Sequence, residues 1–183
     1  MAEPDRSDFI SPESAGDWMA VDQPLADVVV TSRIRLARNI RDFHFKSRLA
    51  EEEGRRLESF LQGELSEIEV SPDQTYLNLE SAEPLDRELL LERHLISVEL
   101  ARGSGPRGVL YSRSRHFSVM VNEEDHLRLQ VLGPGQKLGE LLEKIRRVDE
   151  EISERIEYAV DPRFGYLTSC PTNVGTGLRL SVM

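Results

Sequence analysis

Lysine is scarce in this sequence, which has 3 Lys against 20 Arg among 183 residues. A single cysteine, Cys170, excludes an internal disulfide framework and a cysteine-rich metal site, and it is typical of a reducing compartment. No apolar stretch approaches the roughly 20 residues that a membrane-spanning helix needs. The N-terminus has neither the basic region nor the apolar core of a secretion signal. These absences predict a cytoplasmic protein that does not engage membranes.

The charge balance restricts the class of ligand. The chain has a net charge of −10, which argues against general binding to nucleic acids, although a local basic site can still hold a small anion. Arginine offers a planar, permanently charged fork that binds phosphate bidentately, whereas lysine is a point charge. The excess of arginine over lysine therefore indicates phosphate recognition.

The apolar pattern divides the chain into an N-terminal extension, residues 1–25, and a domain, residues 26–183. The extension has no period, and we expect only Trp18 and Met19 to anchor it. Periodicity in the domain predicts helices at 49–65, 84–95 and 136–159, strands at 28–36, 115–121 and 127–132, and two further strands around a Pro/Gly loop near the C-terminus. Antiparallel strands with helices grouped between them predict an α+β fold.

The stretch "TSRIR" places two arginines on one side of the first strand. Alternation puts Thr31, Arg33 and Arg35 on the polar face, and side chains two apart on a strand lie about 7 Å from each other, a span suited to adjacent phosphates of a nucleotide. Thr31 and Ser32 would add hydroxyl donors. Because the sequence has no glycine-rich phosphate loop, side chains would have to bind the nucleotide. A solvated strand face is the simpler interpretation.

The next two arginines, Arg38 and Arg41, lie beyond that alternation. They are predicted to be ordinary surface charges or contacts to acidic segments.

The stretch "VNEEDHLRLQ", residues 121–130, places three carboxylates in a predicted hairpin loop and Arg128 just after it. An acidic loop is commonly only solvated. Carboxylates can also help to hold Mg²⁺, orient a cationic acceptor or take its proton. Opposite charges this close together suit phosphoryl transfer, in which positioning and electrostatics supply most of the catalysis.

Two further residues have ambiguous roles from local sequence. Cys170 in "TSCPTN" is by default a small buried hydrophobe, or else a thiolate that helps to hold a cationic substrate. His94 in "ERHLIS" is by default a histidine at a helix end.

Four stretches together, "TSRIRLARN", "NEEDHLR", "CPTNVGT" and "LRLSV", resemble the catalytic domain of the phosphagen (guanidino) kinases in their order and spacing. The resemblance runs from about Val28 to the end of the chain. It implies an antiparallel sheet flanked by helices, related to glutamine synthetase. Kinases of free guanidino compounds carry a helical domain before the first arginine motif, where only 30 residues stand here. This difference favours the bacterial branch of the family, which phosphorylates arginine side chains of proteins.

The resemblance also implies a site that uses ATP and Mg²⁺. Glu124 would orient the acceptor guanidinium and accept its proton, Glu123 would face Mg²⁺ through water, and Cys170 would lie against the guanidino group. The nucleotide-binding residues that it implies are Thr31, Ser32, Arg33, Ile34, Arg35, His94, Arg128, Arg179, Leu180, Ser181, Val182 and Met183. A carboxylate is chemically required, because a guanidinium has a pKa far above neutrality and is a poor nucleophile until it shares or loses a proton.

Family members continue with another arginine-containing loop, another glutamate and, in the bacterial branch, a C-terminal domain. We therefore expect an incomplete catalytic domain with weak or absent activity of its own. The resemblance implies protein substrates with exposed arginines, an activating adaptor, protease-chaperone machinery and a homodimer of the full-length form. The alternatives are a free-guanidino kinase, a non-catalytic module that binds a nucleotide or a partner, and, least favoured, nucleic-acid binding through residues 33–41.

Overall fold

The structure is a computed structural model that describes residues 28–114 and 116–183. The predicted extension and its anchors Trp18 and Met19 lie outside the described residues. No helix in the described residues is long and apolar enough to cross a membrane.

The strands are β1 (Thr31–Arg38), β2 (Gln74–Asn78), β3 (Gly108–Ser112), β4 (Phe117–Val121), β5 (Leu127–Pro134), β6 (Val160–Asp161), β7 (Gly165–Tyr166) and β8 (Leu178–Val182). The helices are α1 (Glu51–Ser66), α2 (Pro84–Glu92), α3 (Val98–Arg102) and α4 (Leu138–Ser153), with short 3-10 helices at Lys46–Arg48 and Pro171–Asn173. Six strands form an antiparallel sheet in the order β2-β3-β4-β5-β1-β8, and β6 pairs with β7 separately. The predicted α+β class is confirmed.

Each face of the sheet packs against its own pair of helices. Ile34 and Leu36 of β1 are buried with Leu61 of α1 and Ile145 of α4 in the larger core. On the other face, the second core joins β3 and β4 to α2 and α3 around Leu100. The alternation in β1 therefore buries its aliphatic residues under α1 and α4, and it turns Arg33 and Arg35 to the opposite face.

The predicted hairpin between β4 and β5 is present, with residues 122–126 as its loop, hereafter the acidic loop. Asn122 begins the loop in a left-handed conformation with φ of 59°. Its Nδ2 donates to the carbonyl oxygens of Gly54 at 3.1 Å and Pro106 at 3.0 Å. These bonds fasten the acidic loop to α1 and to the approach to β3.

The structure differs from the sequence prediction in several elements. The helix predicted at 84–95 ends at Glu92, because His94 adopts a φ of 58° that reverses the chain. A second short helix, α3, then begins after Ser97, whose hydroxyl accepts a hydrogen bond from Leu100 N at 3.0 Å. Strand β1 begins at residue 31, and α4 ends at residue 153, so both boundaries were wrong by several residues.

Candidate active site

Four arginines from three neighbouring strands share one face of the sheet. Arg35 of β1 lies directly opposite Arg179 of β8, and Arg128 of β5 lies opposite Ala37, two residues along β1. Arg33 belongs to the same face, because residues two apart in a strand point the same way. These four residues, Arg33, Arg35, Arg128 and Arg179, are hereafter the arginine cluster.

The guanidiniums of the arginine cluster repel one another. Burial, followed by the charges of Arg33, Arg128 and Arg179, lowers the pKa of the Arg35 guanidinium to about 10, although Glu123 acts in the opposite direction. Burial also lowers the pKa of Arg33, followed by the charges of Arg179 and Arg128. The guanidiniums of Arg33 and Arg35 still remain charged at neutral pH. The cluster therefore holds a positive charge that a bound anion would relieve.

Hydrogen bonding satisfies this cluster only in part. Arg33 Nε donates to Ser181 Oγ at 3.3 Å, whereas the buried Arg35 Nε has no hydrogen-bond partner among the described residues. Within residues 28–114 and 116–183, the carboxylate partners of this cluster bind Arg128, so the other three guanidiniums keep donors available to a ligand.

The acidic loop places its two glutamates around Arg128. Glu123, with a side chain only 1% exposed, accepts from Arg128 Nη1 at 2.5 Å through Oε1 and from the backbone N of Glu124 at 2.8 Å through Oε2. Glu124, whose side chain is 46% exposed, accepts from Arg128 Nη2 at 3.0 Å through Oε2. Glu123 thus fixes Arg128, while the second oxygen of Glu124 stays available to an acceptor.

Cys170 reaches this region from the loop before β8. Its Sγ lies 3.0 Å from Thr172 Oγ1, and it lines a recess of about 60 Å³ together with Arg35, Glu124 and Arg128. Arg179 lines it as well, so the recess brings together a thiol, a carboxylate and three guanidiniums from the motifs that the sequence singled out. The individual role of each residue stays a prediction.

Buried Asp125 connects the loop that carries Glu124 to the segment that carries Cys170. Its Oδ1 accepts from Ser169 N at 2.6 Å and from Asn39 Nδ2 at 2.7 Å. Asn39 and Asp125 were not singled out from the sequence, because Ser169 is 44 residues from Asp125 and no local pattern indicates the contact.

His126 is the last residue of the acidic loop, and both of its ring nitrogens lie within hydrogen-bond distance of backbone atoms. Its Nδ1 accepts from Ile40 N at 3.0 Å and its Nε2 lies 2.9 Å from His44 O, an arrangement that suits the neutral ring with the proton on Nε2. Burial is the main cause that lowers the pKa of His126, against the opposing effects of the His44 backbone bond, Asp125 and Glu53. The acidic loop therefore ends at a neutral, buried imidazole.

A larger cavity of about 680 Å³ opens from the recess. Arg35, Arg128 and Arg179 line one part of it, Glu123 and Glu124 another, and Lys46 and Arg107 a third. Sequence reasoning missed Lys46 and Arg107, which lie in segments without a motif. The cavity therefore carries alternating charge rather than a single basic patch.

Some residues of the predicted nucleotide-binding set point elsewhere. The hydroxyl of Thr31 donates to Gly133 O at 2.9 Å and that of Ser32 to Gly135 O at 2.7 Å, and both side chains are buried. In this structure β5 and the turn after it therefore use both hydroxyl donors, and the role of Thr31 and Ser32 in nucleotide binding stays a prediction. Ile34 is buried in the core, and Leu180, opposite it, shares that face rather than the face of the arginine cluster.

The remaining members of the predicted set lie near the arginine cluster, and their roles in nucleotide binding stay predictions. Ser181 is opposite Arg33. Burial, followed by the charge of Arg33, lowers the pKa of His94, so its ring is close enough to interact electrostatically with the arginine cluster. Met183 N donates to Thr31 O at 2.9 Å, and Val182 lies opposite Ser32, so both extend the β1–β8 pairing beside the cluster.

The first strand ends in a different arginine site, hereafter the paired end. Arg38 is 3% exposed and donates from Nε and Nη2 to Asp149 at 3.0 and 2.6 Å. Its guanidinium lies 3.6 Å from the centre of the Tyr166 ring and 5.6 Å from that of Tyr158. Of the two roles predicted for Arg38, contact to an acidic segment is confirmed. Arg41, exposed beside Glu157, is a surface ion pair.

The donor set limits how a metal ion could be held. In residues 28–114 and 116–183 no three His, Cys, Asp or Glu side chains form a group suited to a metal. Mg²⁺ commonly binds through one or two carboxylates, water and substrate phosphates, and it does not require such a group. Glu123 and Glu124 fit that mode, and because Arg128 and a backbone N–H engage both oxygens of Glu123, contact through water suits this residue best.

Comparison with protein families gives a match over residues 56–183 to the catalytic-domain model described as "ATP:guanido phosphotransferase, C-terminal catalytic domain". Two curated relatives, protein-arginine kinases of Bacillus cereus (strain B4264) and Bacillus thuringiensis subsp. konkukian (strain 97-27), are each 44% identical to the chain over 178 residues. The alignment covers 96% of this chain, and the chain spans about half the length of these relatives, since 50% of each is covered.

Two solved structures share the fold. The duplicated taurocyamine kinase from Schistosoma mansoni with bound transition state analog components superposes with a TM-score of 0.81 at 26% identity, covering 92% of this chain and 24% of that one. A lombricine kinase superposes with a TM-score of 0.75 at 28% identity, covering 84% of this chain and 47% of that one. The antiparallel sheet and its helices are therefore those of a guanidino kinase catalytic domain.

Proposed function

Because this chain belongs to the ATP:guanido phosphotransferase family, we propose that it transfers the γ-phosphoryl group of ATP to arginine side chains of proteins. One observation carries the proposal: three members of the arginine cluster, Arg35, Arg128 and Arg179, line one recess together with Glu124 and Cys170. Phosphoryl transfer needs cationic groups around the donor and acidic groups around a guanidinium acceptor. The recess presents both within one small volume.

The arginine cluster would bind the ATP phosphates. Arg35 and Arg179 stand opposite each other with their charge unbalanced, so oxygens of a polyphosphate would replace mutual repulsion with charge-assisted hydrogen bonds. Arg128 would contact the phosphate nearest the acceptor, because Glu123 and Glu124 hold it at that boundary. Glu123 would hold Mg²⁺ through water, and the bound ion would neutralise phosphate charge during transfer.

Glu124 would position the acceptor. A guanidino nitrogen held in line attacks the γ-phosphorus, the N–P bond forms, and the bond from phosphorus to the bridging oxygen of ADP breaks. The proton released by that nitrogen passes to the Glu124 carboxylate, and the products are ADP and phosphoarginine. Cys170, which lines the same recess, would contact the guanidinium and keep its plane aligned.

Mass spectrometry tests the proposal. The chain is incubated with Mg-ATP and an arginine-rich protein, and peptides are analysed without acid, which would hydrolyse the N–P bond. We expect phosphate on arginine. The change Glu124→Gln should lower the rate about 10²–10⁴-fold, the usual contribution of a general base, whereas Glu154→Gln, an exposed glutamate beyond α4, should leave it unchanged. Phosphate confined to serine or threonine would overturn the proposal.

A competition experiment identifies the acceptor class. Protein arginine is favoured over free guanidino compounds, since the protein-arginine kinases are 44% identical to the chain and the taurocyamine and lombricine kinases 26% and 28%. Free arginine should therefore inhibit protein phosphorylation much less than an arginine-containing peptide does at the same concentration. ATP binding without any transfer would instead indicate a nucleotide-binding module.

The family relationship also suggests the setting of the reaction. We propose the cytoplasm as its compartment, supported by the single cysteine, and exposed arginines of protein substrates as acceptors. An activating adaptor, protease-chaperone machinery and a homodimer of the full-length form stay predictions.

A further inference from the structure

The large cavity extends past the groups that the proposed reaction uses. Beyond the acidic loop, Lys46 of the first 3-10 helix and Arg107 at the start of β3 line its wall. They lie close enough that the charge of Arg107 lowers the pKa of Lys46, after the larger effect of burial. These two residues, hereafter the cation pair, have no part in binding phosphates or orienting a guanidinium.

The charge of the cation pair is not neutralised within the described residues. The Lys46 ammonium makes no hydrogen bond or ion pair there, although the side chain is partly buried. Arg107 is 5% exposed and donates from Nε to Leu100 O at 2.9 Å and from Nη1 to Gly105 O at 3.0 Å. These bonds go to neutral carbonyls, they hold the side chain in place, and they leave its Nη2 without a partner.

Nearby carboxylates balance this charge incompletely. Glu80 acts on the pKa of Arg107, but Arg55 binds it at 2.6 and 3.0 Å. Glu123 is bound to Arg128. Glu99, exposed in the first turn of α3, is the remaining carboxylate on this wall, so two cations face one anion there.

We propose that the cation pair is a carboxylate subsite for the acceptor. The inference rests on the proposed function, since an arginine placed at Glu124 would carry its backbone and neighbouring residues into the rest of the cavity. A carboxylate on that segment would meet Lys46 and the free Nη2 of Arg107. The subsite therefore selects arginines that have an acidic residue nearby or, for free arginine, its own α-carboxylate.

Peptide binding to this chain, without ATP, tests the subsite directly. The probes are two fluorescent peptides with one central arginine, which differ only in carrying Asp and Glu or Asn and Gln on either side of it. Fluorescence anisotropy should show about tenfold tighter binding of the acidic peptide, equivalent to about 1.4 kcal/mol. Equal affinities, or no binding of either peptide, would overturn the proposal.

Lysine substitutions provide matched variants. Lys46→Gln should bring the affinity ratio close to 1, and Lys46→Glu should reverse the preference. Lys144→Gln, an exposed lysine on α4, removes the same charge at a distance from the cavity and should preserve the ratio. Thermal melting checks that all three fold. An equal loss in Lys46→Gln and Lys144→Gln would mean general charge attraction and would contradict the subsite.

A third arm distinguishes the two sources of the carboxylate. If the α-carboxylate is bound, free arginine should displace the peptide better than arginine amide does, and Lys46→Gln should abolish that difference. If only side-chain carboxylates are bound, arginine and its amide should compete equally while the peptide preference persists.

Kinetics separate failure of this inference from failure of the proposed function. If the chain transfers phosphate, kcat/KM should favour the acidic peptide through KM, and Lys46→Gln should remove that preference with little change in kcat. Transfer to both peptides at equal kcat/KM overturns the subsite alone. A Lys46-dependent binding preference without transfer to either peptide overturns the proposed reaction alone.

Discussion

Two arginine environments on the same strand, three residues apart, differ in how their charge is balanced. At the paired end, the protein supplies Arg38 with a bidentate carboxylate, Asp149, and two aromatic rings. In the arginine cluster, Arg35 has an unpartnered Nε and three like charges nearby. A guanidinium paired within the fold stabilises the fold, whereas an unpaired guanidinium remains available to bind an external anion.

The strongest test of this comparison removes each arginine in turn. Arg38→Ala should lower the free energy of unfolding by up to about 3 kcal/mol, because it leaves the partly buried carboxylate of Asp149 without its partner. Arg35→Ala, the matched change at the cluster, should alter stability by less than about 1 kcal/mol, since lost packing is offset by relieved repulsion. Urea denaturation measures both.

The double variant Arg38→Ala/Asp149→Ala checks the cause. It should recover part of the lost stability, because no isolated, partly buried charge remains. Comparable losses for the single variants Arg38→Ala and Arg35→Ala would break the distinction between the two sites.

The second prediction concerns the binding of pyrophosphate to the arginine cluster. Pyrophosphate should raise the melting temperature of the parent protein, since a ligand that binds the folded state stabilises it. Arg35→Ala should weaken pyrophosphate binding about 10–100-fold, corresponding to about 1.5–3 kcal/mol for a hydrogen bond between charged groups. Isothermal titration calorimetry at fixed ionic strength measures the affinity. Arg146→Ala on α4 is the control, and an equal loss there would indicate nonspecific attraction.

The third prediction concerns the pH dependence of stability and the buried imidazole of His126 at the end of the acidic loop. Burial lowers the pKa of His126 below its unfolded value, so the unfolded chain binds the proton more readily. The stabilising contribution is therefore complete above the unfolded pKa of about 6.5, and it is lost as the pH falls through that value towards the folded pKa. Urea denaturation between about pH 7.5 and about pH 5.5 should show falling stability, with a smaller slope in His126→Gln. An unchanged slope in this variant would exclude His126 as the cause.

The smallest effect is expected at the exposed pair of Arg41 and Glu157. Both side chains are more than half exposed, at 53% and 63%. Arg41→Ala should change the free energy of unfolding by about 0.2–1 kcal/mol, as is usual for surface ion pairs. A loss comparable to that of Arg38→Ala would show that exposure does not separate the two arginines.

Local sequence was sufficient for the elements whose pattern is local. The alternation of β1 predicted the shared face of Arg33 and Arg35, and the polar interval between two apolar runs predicted the loop with Glu123 and Glu124. Strands β2 and β3 were missed, because β2 is short and half-buried and all five residues of β3 are buried without alternation.

Contacts between segments distant in the chain determine the side-chain environments that local sequence could not predict. Arg38 and Asp149 are 111 residues apart, so nothing near Arg38 separates a buried ion pair from a surface charge. The hydroxyls of Thr31 and Ser32 bind carbonyls more than 100 residues away. The motifs identified the residues that meet at the recess, while only the folded sheet showed which of their polar atoms are already engaged.

The direct opposition of Arg35 and Arg179 links ligand occupancy to strand attachment. In the described sheet β8 pairs with β1 alone, and two like charges facing each other across that pairing weaken it. An anion between them removes the penalty, so binding and strand docking are thermodynamically coupled in both directions. Amide hydrogens of residues 178–182 should exchange more slowly when pyrophosphate is bound, which makes the edge strand a reporter of occupancy as well as part of the site.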